Sequence, residues 1–257
     1  MLKALDLSGR VAAVIGGTSG LGRAIAIGLA EAGADVVSSG RRQNLVDEVS
    51  DAIERAGRRT LRVTVDVMNR SSINAARDRV LAHFGQIDIL VNAAGRIAKK
   101  PTKDLPEAEW GETIETNVTG ILRACQAFYE PLARSGHGRI INIVSLTSFV
   151  SFKEVAAYSA SKSALLSLTR SLGTEWAPDG INVNAIAPGV FRTDLNKNLL
   201  DSTDRGRELL MRTPIRRFGK AEELVGAAVL LASDAASYIT GQCIVVDGGF
   251  LASGVNT

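Results

Sequence analysis

Short apolar runs alternate with longer amphipathic stretches along this whole chain. The runs have the length of β-strands, and some, such as Ile87–Val91, are apolar on both faces, as expected of strands covered by helices on each side. The stretches between them, roughly 10–20 residues long, provide the crossover helices that parallel strands need. We therefore predict an α/β fold with a single doubly wound, seven-stranded parallel sheet and helices on both faces. The predicted strands are Val11–Ile15, Asp35–Ser39, Leu61–Val65, Ile87–Val91, Ile140–Val144, Ile181–Ile186 and Cys243–Val246, and the clearest predicted helices are Leu21–Ala32, Gln43–Ala56, Ser71–Phe84, Ala157–Ala177 and Ala221–Ser233.

One domain is predicted over residues 1–257, because no Pro/Ser-rich linker, internal repeat or low-complexity segment divides the chain. The most polar long stretch, Arg192–Arg217, interrupts the alternation between the sixth strand and the helix at Ala221. Insertions of this kind often form mobile lids. We therefore expect a substrate lid at about 192–217.

The chain has no feature of a secreted or membrane protein. No run reaches the roughly 18 uninterrupted apolar residues of a membrane-spanning helix, and the first 20 residues lack an apolar signal core. The two cysteines, Cys125 and Cys243, are far apart in apolar surroundings, which favours neither a disulfide nor a metal site. A cytoplasmic protein without a membrane anchor or a bound metal is the expectation.

The positive charge of the chain is mild, +3 in net terms, and it is scattered. Nucleic-acid binding would need a continuous basic stripe with aromatic side chains for base stacking, and only 5% of the residues are aromatic. An anionic small molecule is therefore a better expectation than a nucleic acid. The basic pairs are Arg41–Arg42, Arg58–Arg59, Lys99–Lys100 and Arg216–Arg217.

The segment GGTSGLG, Gly16–Gly22, lies where the first strand should lead into the first helix. A helix N-terminus offers unpaired N–H groups and a partial positive charge, and a phosphate reaches them where side chains are missing. Gly16, Gly20 and Gly22 remove those side chains, although their G-x3-G-x-G spacing differs from the G-x-G-x-x-G of many dinucleotide-binding folds. The segment predicts a diphosphate site in a Rossmann-type fold, with a plain tight turn as the alternative.

The second predicted strand leads directly into two arginines. An acidic side chain at this point would bind the ribose hydroxyls of NAD, and here Gly40 occupies the expected position. Arginine instead pairs well with a 2′-phosphate. Arg41 and Arg42 therefore favour NADP(H), with NAD(H) as the second choice. The alternative is that both arginines belong to a solvated helix start.

The segment AYSASKSALLSLTRSL predicts a helix with Tyr158 and Lys162 one turn apart on the same face. A neighbouring ammonium lowers the pKa of a phenol, so this tyrosine is a candidate acid or base for an alcohol oxygen. Ser145 ends the preceding strand, where open α/β sheets place their sites, and could hold the same oxygen. The alternatives are an exposed i,i+4 pair, and a helix cap or turn at Ser145, with Ser148 and Ser151 as rival hydroxyls.

These residues belong to an ordered set of motifs: the glycine corner, Asn92-Ala93-Ala94-Gly95, Asn117, Ser145, Tyr158-x3-Lys162 and Pro188-Gly189. In this order and spacing the set resembles the short-chain dehydrogenase/reductase family from about Leu5 to Phe250. The resemblance implies an NAD(P)-dependent oxidoreductase acting on CH–OH groups. Its implied catalytic residues are Asn117, Ser145, Tyr158 and Lys162, and its implied cofactor-binding residues are Gly16, Thr18, Ser19, Gly20, Leu21, Gly22, Ser39, Arg41, Arg42, Asp66, Val67, Asn92, Ala93, Ala94, Gly95, Tyr158, Lys162, Pro188, Gly189, Val190 and Thr193.

The resemblance also implies what individual residues do. Asp66 would accept a hydrogen bond from the adenine amino group, with Val67 packed beside the ring. Asn117 would sit at a break in its helix and help to order a water next to Lys162. Lys162 would hold the nicotinamide ribose and lower the pKa of Tyr158, the general acid/base.

Two positions depart from the family pattern. The family usually has Thr just before the first glycine, where its hydroxyl braces the neighbouring N-A-G turn, and this chain has Ile15. The family's N-N-A-G is N-A-A-G here. Neither change removes a catalytic group, although the bracing must come from other atoms.

The substrate is less strongly indicated than the chemistry. The segment RTPIRRFGKAEELVGAAVLLASDAAS and the ending VDGGFLASGV resemble bacterial reductases of sugar acids and polyols, such as gluconate 5-dehydrogenases, which implies a place in carbohydrate metabolism. Arg96, Arg192 and Glu154 are the candidate substrate contacts beside Ser145, unless they are solvated surface. The rival interpretation is a 3-oxoacyl-[acyl-carrier-protein] reductase. A non-catalytic dinucleotide-binding regulator ranks below both, because it predicts the loss of Tyr158 or Lys162.

The resemblance extends to assembly. The segment AASYITGQCIVVDGG is similar to the family's last strand, which usually pairs across a two-fold axis. We therefore predict a homotetramer, with a dimer as the alternative. Leu165, Leu166 and Leu168 on the long helix could contribute to an interface or to the core of the subunit.

Overall fold

The sheet of this protein has seven strands, all parallel, in the order β3-β2-β1-β4-β5-β6-β7. The structure is a computed structural model, and it describes residues 2–192, 200–201 and 203–256. The predicted α/β class and strand number are confirmed. The strands are β1 (Val11–Ile15), β2 (Asp35–Gly40), β3 (Val63–Thr64), β4 (Ile89–Asn92), β5 (Gly138–Ile143), β6 (Ile181–Pro188) and β7 (Cys243–Val246).

The helices cover both faces of this sheet. The predicted helix bounds agree with the structure to within two residues at each end, except at Ala221, where a short 3-10 turn precedes the α-helix. No helix bounds were predicted for the stretch between β4 and β5, which contains a helix in two parts. The helices are α1 (Gly20–Glu31), α2 (Gln43–Arg55), α3 (Arg70–Phe84), α4 (Glu107–Ile114), α5 (Gly120–Ser135), α6 (Ala156–Glu175), α7 (Asp204–Arg212) and α8 (Val225–Ala232).

Each face of the sheet carries its own hydrophobic core. Alternate residues of β1 point to opposite faces, so that Val11 and Ala13 join one core while Ala12 and Val14 join the other. The first core is completed by α3, α5 and α6, and the second by α1, α2 and α8. Burial on both faces explains why β1 is apolar at every position.

The order of the strands reverses between β1 and β4, which creates a topological switch point. Ligands of open α/β sheets bind beside this point, outside the carboxyl ends of the strands. Among the described residues, most of the predicted site residues lie at the carboxyl ends of strands, in the loops that follow them or on the adjoining helices. The predicted lid at about 192–217 lies partly outside the described residues. Within the described part of the chain, no helix is long and apolar enough to cross a bilayer.

Candidate active site

The glycine corner between β1 and α1 is closely packed main chain. Gly16 has a left-handed φ of +83°, and a Cβ at this position would overlap main-chain atoms of Ala93 and Ala94. A Cβ on Gly22 would overlap the main-chain oxygen of Gly16. Both glycines are therefore required by close approach, and together they leave the corner lined by peptide groups.

The first turn of α1 has room for an anion. Ser19 precedes the helix in an extended conformation, and its side chain makes no capping hydrogen bond within the described part of the chain. Thr18 is buried against Gly40, where a Cβ would lie 2.6 Å from the Thr18 hydroxyl oxygen. Leu21 packs into the second core and fixes the helix on the sheet. A nucleotide diphosphate fits this arrangement, because the open N–H groups and the missing side chains coincide.

Arg41 and Arg42 directly follow β2, and both are exposed. Neither forms an ion pair with any residue that the structure describes. The next basic pair behaves differently, since Arg58 and Arg59 both bind the carboxylate of Asp35, at 3.3 and 2.6 Å. The arginines at the carboxyl end of β2 are thus available to an external anion, while those at its other end are structural.

The strand end after β3 carries the predicted adenine contact. One carboxylate oxygen of Asp66 accepts a hydrogen bond from the amide of Met68 at 3.0 Å, which orients the side chain. Val67 is buried and packs against Gly120 at the start of α5, where a Cβ would lie 2.9 Å from the Val67 Cβ. The loop is therefore held close to α5 with one carboxylate oxygen of Asp66 still unused by this bond.

The end of β4 is braced without a threonine at position 15. The Ala93 amide donates to the main-chain oxygen of Ile15 at 2.8 Å. The buried side chain of Asn92 donates to the amide oxygen of Asn142 on β5 at 2.9 Å. The second contact was not predicted, and nothing in the spacing of two asparagines 50 positions apart indicates it. Main-chain bonding and this amide pair supply the bracing that the family assigns to a hydroxyl.

The hydroxyl of Ser145 lies beside the phenol of Tyr158 and acts to lower its pKa. Ser145 follows β5, and its oxygen also accepts from the amide of Thr147 at 3.2 Å. Ser145 therefore forms the cap that the sequence analysis gave as its alternative role, and this hydrogen bond fixes the serine beside Tyr158. Of the rival hydroxyls, Ser148 is buried without a hydrogen-bond partner among the described residues, and Ser151 is exposed.

Lys162 is buried, and its Nζ donates to the main-chain oxygen of Ile143 at 2.7 Å. Burial lowers the pKa of this lysine to about 8. Burial also raises the pKa of Tyr158, while the hydroxyl of Ser145 acts in the opposite direction. The expected lowering by the ammonium is not found, because desolvation dominates and the Nζ lies 5.7 Å from the centroid of the Tyr158 ring.

Asn117 lies in a π-helical turn, Glu115–Thr119, that separates α4 from α5. Its amide oxygen accepts from the main-chain N–H of Arg96, and its amide nitrogen donates to the oxygen of the same residue and to Ser161 Oγ. Ser161 in turn donates to the main-chain oxygen of Tyr158 at 2.7 Å. The helix break is therefore where the resemblance places it. Ser161 was missed, although its position one turn after Tyr158 is a signal for it.

Gly95 lies between Asn117 and Lys162. A Cβ on this glycine would lie 3.5 Å from the amide oxygen of Asn117 and 3.6 Å from the Nζ of Lys162. The loop after β4 therefore passes within van der Waals reach of both polar side chains. This close approach brings the ends of β4 and β5, the π-helical turn and α6 into one site.

The basic residues at the mouth of the site are paired with carboxylates. Arg96 binds Glu112, and Arg192 binds Asp201, with 2.6 Å between the closest atoms of the second pair. Glu154, predicted as a substrate contact, binds Lys99 at 3.4 Å. Glu112 and Lys99 come from other parts of the chain than Arg96 and Glu154, whereas Asp201 lies in the same polar stretch as Arg192, and the sequence analysis predicted none of these pairs. The mouth therefore carries ion pairs rather than unpaired positive charge at these positions.

The end of β6 forms the opposite wall of the site. Pro188 ends the strand, and the amide of Gly189 donates to the main-chain oxygen of Val246 on β7 at 2.8 Å. A Cβ on Gly189 would overlap Asp247, so a larger residue would push this wall away from β7. The main-chain oxygen of Val190 accepts from Gly219 at 3.0 Å. Thr193, the remaining predicted contact in this wall, lies outside the described residues.

Comparisons with known proteins agree with this geometry. Residues 15–251 match the family model described as Enoyl-(Acyl carrier protein) reductase. The 2-dehydro-3-deoxy-D-gluconate 5-dehydrogenase of Dickeya dadantii is 40% identical over 98% of this chain and 99% of that protein. The 3-oxoacyl-[acyl-carrier-protein] reductase FabG of Escherichia coli is 36% identical over 95% and 98%.

A solved structure provides the same comparison in three dimensions. The gluconate 5-dehydrogenase of Burkholderia cenocepacia, in complex with NADP and tartrate, superimposes with a TM-score of 0.94. It is 36% identical, and the match covers 98% of this chain and 99% of that one. Identity at this level over nearly the full length of each relative goes beyond a shared fold. The chain belongs to the short-chain dehydrogenase/reductase family of oxidoreductases.

Proposed function

We propose that this enzyme interconverts a ketone and a secondary alcohol with NADP(H), and that its substrate is a sugar acid or a polyol, as for gluconate 5-dehydrogenase. The observation that carries the proposal is the convergence of Ser145, Tyr158 and Lys162 beside the bare glycine corner. A proton-transfer group and a diphosphate site then lie at the same edge of the sheet. The nicotinamide, when bound, supplies or accepts the hydride.

The cofactor would be held mainly by main-chain groups. Gly16–Gly22 receives the diphosphate at the N-terminus of α1, and Asp66 and Val67 take the adenine. Arg41 and Arg42 bind the 2′-phosphate, and their lack of carboxylate partners within the described chain supports NADP(H) over NAD(H). The NADP in the related Burkholderia structure supports the same assignment.

Side chains of the protein transfer the proton to or from the substrate oxygen. The hydroxyl of Ser145 holds the carbonyl or alcohol oxygen, and the hydroxyl of Tyr158 gives or takes its proton. Lys162 holds the nicotinamide ribose and offers positive charge near the phenol. The side chain of Asn117 is already bonded to Arg96 and Ser161, so a role toward a water beside Lys162 falls to its main-chain oxygen.

The substrate assignment draws on relatives and on the mouth of the site. Two of the compared proteins are named for gluconate or a deoxy-keto-gluconate, and one of them holds tartrate, a small dicarboxylic acid with hydroxyls. The mouth is rich in charged groups, which suits a polar substrate better than an acyl chain. The FabG relative keeps a 3-oxoacyl thioester as the second candidate.

A substrate panel tests this proposal. Keto-sugar acids, polyols and a 3-oxoacyl thioester are assayed with NADPH, NADH and their oxidised forms. We expect the highest kcat/KM with a keto-sugar acid and NADPH. Activity confined to the thioester would assign the second candidate, and equal kcat/KM with both nicotinamides would reject the 2′-phosphate assignment.

We propose further that the chain acts in the cytoplasm as one domain and assembles as a homotetramer. The unpaired cysteines, Cys125 and Cys243, support a reducing compartment. The exposed side chain of Val245 on the edge strand β7 supports an interface there, whereas Leu165 and Leu166 are buried in the core of the subunit. The segment around α7 would close over the substrate as the lid.

A further inference from the structure

Glu154 has a left-handed backbone conformation that is unusual for a residue with a side chain. Its φ is +70°, a region that favours glycine, and it lies two residues before α6 and four before Tyr158. Such conformations persist only where the surrounding structure holds them, and they cluster at functional sites. Neighbouring contacts must therefore hold Glu154 in this conformation.

Two consecutive lysines from the loop after β4 hold Glu154. The amide of Lys100 donates to the main-chain oxygen of Glu154 at 2.8 Å. The ammonium of Lys99 lies 3.4 Å from the Glu154 carboxylate, and that of Lys100 binds Glu109 on α4 at 2.6 Å. We call the contacts of Glu154 with Lys99 and Lys100 the clasp. It joins the loop after β4 to the loop after β5, and these loops form two walls of the mouth.

The residue before Glu154 connects a third segment. Both terminal guanidinium nitrogens of Arg205, on α7, lie 3.4 Å from the main-chain oxygen of Lys153, to which they donate. A cavity of about 680 Å³ opens beside this junction and is lined by Pro101, Thr102, Ser151–Glu154, Ala156 and Ser159. The turn at Lys153–Glu154 is thus where the walls of the mouth and α7 meet, directly before the helix that carries Tyr158.

We propose that Glu154 is a positioning residue that orders the mouth for the organic substrate through the clasp. The proposal rests on the function proposed above and changes the sequence-based assignment of Glu154 as a substrate contact. The Glu154 carboxylate is already paired with Lys99, and the turn at Glu154 sets where α6 begins. Since the contacts of the clasp involve neither Gly16–Gly22 nor Arg41, we expect it to affect the organic substrate and not the nucleotide.

Three substitutions distinguish the contribution of the Glu154 side chain from that of its left-handed backbone conformation. Glu154→Gln removes the charge, Glu154→Gly removes the side chain and retains the left-handed turn, and Glu154→Val opposes that turn because β-branched residues avoid it. We expect Glu154→Gln and Glu154→Gly to raise the KM for the keto substrate about three- to tenfold, with an unchanged KM for NADPH. Glu154→Val should raise the KM for the keto substrate further. Glu54→Gln, which breaks an exposed ion pair with Arg62, is the matched control and should change neither constant.

Hydrogen exchange supplies a readout that does not depend on activity. The Lys100 amide should exchange about tenfold faster in Glu154→Gln than in the wild type, because the clasp no longer holds the two loops together. The charge-reversed double variant, Lys99→Glu with Glu154→Lys, should bring both the KM and the exchange rate back to within about threefold of the wild type. Lys99→Met removes the same ion pair from an exposed position and replaces the Glu154 variants if these do not fold.

The outcomes are distinct. Wild-type values of both KM and Lys100 exchange in Glu154→Gln would overturn the proposal, as would a double variant that recovers neither. A raised KM for NADPH would also overturn it, since the clasp would then act on the nucleotide. A wild type inactive on every keto acid would reject the proposed function, and the exchange rates would still decide whether the clasp orders the loops.

Discussion

The side chain of Lys162 reaches across the site to the last residue of β5, where its Nζ donates to the main-chain oxygen of Ile143 at 2.7 Å. This bond fixes a buried ammonium beside the strand end that carries Ser145. Burial lowers the pKa of Lys162 to about 8, so this lysine is mostly charged at neutral pH and loses its charge as the pH rises above about 8. The lysine therefore acts from a position defined by the sheet, and its protonation couples the site to the stability of the fold.

This coupling predicts how stability depends on pH. Between the folded pKa of about 8 and the usual 10.5, the unfolded chain binds a proton at Lys162 that the folded protein does not. The free energy of unfolding therefore rises with pH across this window, whereas the cost of the buried charge is fully present below pH 8. In Lys162→Met this dependence on pH is absent, because methionine does not bind a proton. In urea unfolding at pH 7.5, 8.5 and 9.5, the wild type should gain up to about 1.4 kcal/mol per pH unit relative to the variant. If the difference in free energy of unfolding between the wild type and Lys162→Met were the same at all three pH values, the lowered pKa of Lys162 would be contradicted.

The hydroxyl of Tyr158 is the group on which turnover depends most. Tyr158→Phe removes the hydroxyl that lies beside Ser145 and transfers the proton, while the ring still fills its place. We expect kcat to fall by about 10²–10⁴, with the dissociation constant for NADPH nearly unchanged. Tyr129→Phe is the control, because its hydroxyl binds Asp179 away from the site at 2.8 Å. Equal rates for Tyr158→Phe and the control would reject the mechanism.

The sequence alone was sufficient for most of the fold, because helix and strand periodicities are local. β1 and β7 were predicted with their observed bounds. β3 is shorter than Leu61–Val65, since only Val63 and Thr64 pair with β2 at the edge of the sheet. The bounds of α4 and α5 were not predicted, because Gly111, Gly120 and Pro131 interrupt the helical pattern, although the resemblance implied a helix with a break at Asn117.

The site was predicted less completely than the fold, because part of it depends on contacts between distant residues. Strand ends meet at one edge in any parallel sheet, which is why Ser145 and Tyr158 could be placed together. The direction of the pKa shift of Tyr158 depends on burial, a property that residue spacing does not contain. The carboxylate partner of Arg96 comes from another helix, and that of Arg192 from further along the same polar stretch. Neither pairing was predicted, so the unpaired charge at the mouth was overestimated.

Arg41 should determine the preference between the two nicotinamides. Arg41→Ala removes one of two cations that have no carboxylate partner within the described chain. We expect NADPH to bind about ten- to a hundredfold more weakly, as for the loss of a hydrogen bond to a charged group, with NADH unaffected. Arg55→Ala, at the far end of α2, is the control. Titration by fluorescence measures both affinities, and an equal loss for NADH and NADPH would exclude a 2′-phosphate contact.

The proposed tetramer predicts a mass of about four times 27.1 kDa in light scattering. Val245 is exposed on the edge strand β7, where unpaired main-chain groups and an apolar side chain favour association. Val245→Asp should reduce the mass without changing the circular dichroism spectrum. Val255→Asp, at an equally apolar but more exposed position near the end of the chain, should leave the mass unchanged. A wild type of 27.1 kDa at working concentrations would reject the assembly.

Gly22 tests whether the glycine corner exists for close approach. Gly22 and Gly226 are both helical glycines, but a Cβ on Gly22 would overlap the main-chain oxygen of Gly16. A Cβ on Gly226 would meet no described heavy atom within 4 Å beyond its own helix backbone. Gly226→Ala should therefore stabilise the protein by up to about 1 kcal/mol through helix propensity, with normal NADPH binding. Gly22→Ala should lower the thermal midpoint and weaken NADPH by at least about tenfold, because the corner must open to accept the methyl group. Calorimetry of unfolding and of NADPH binding measures both effects. If Gly22→Ala binds NADPH as well as Gly226→Ala does, the main chain of this corner is not the diphosphate site.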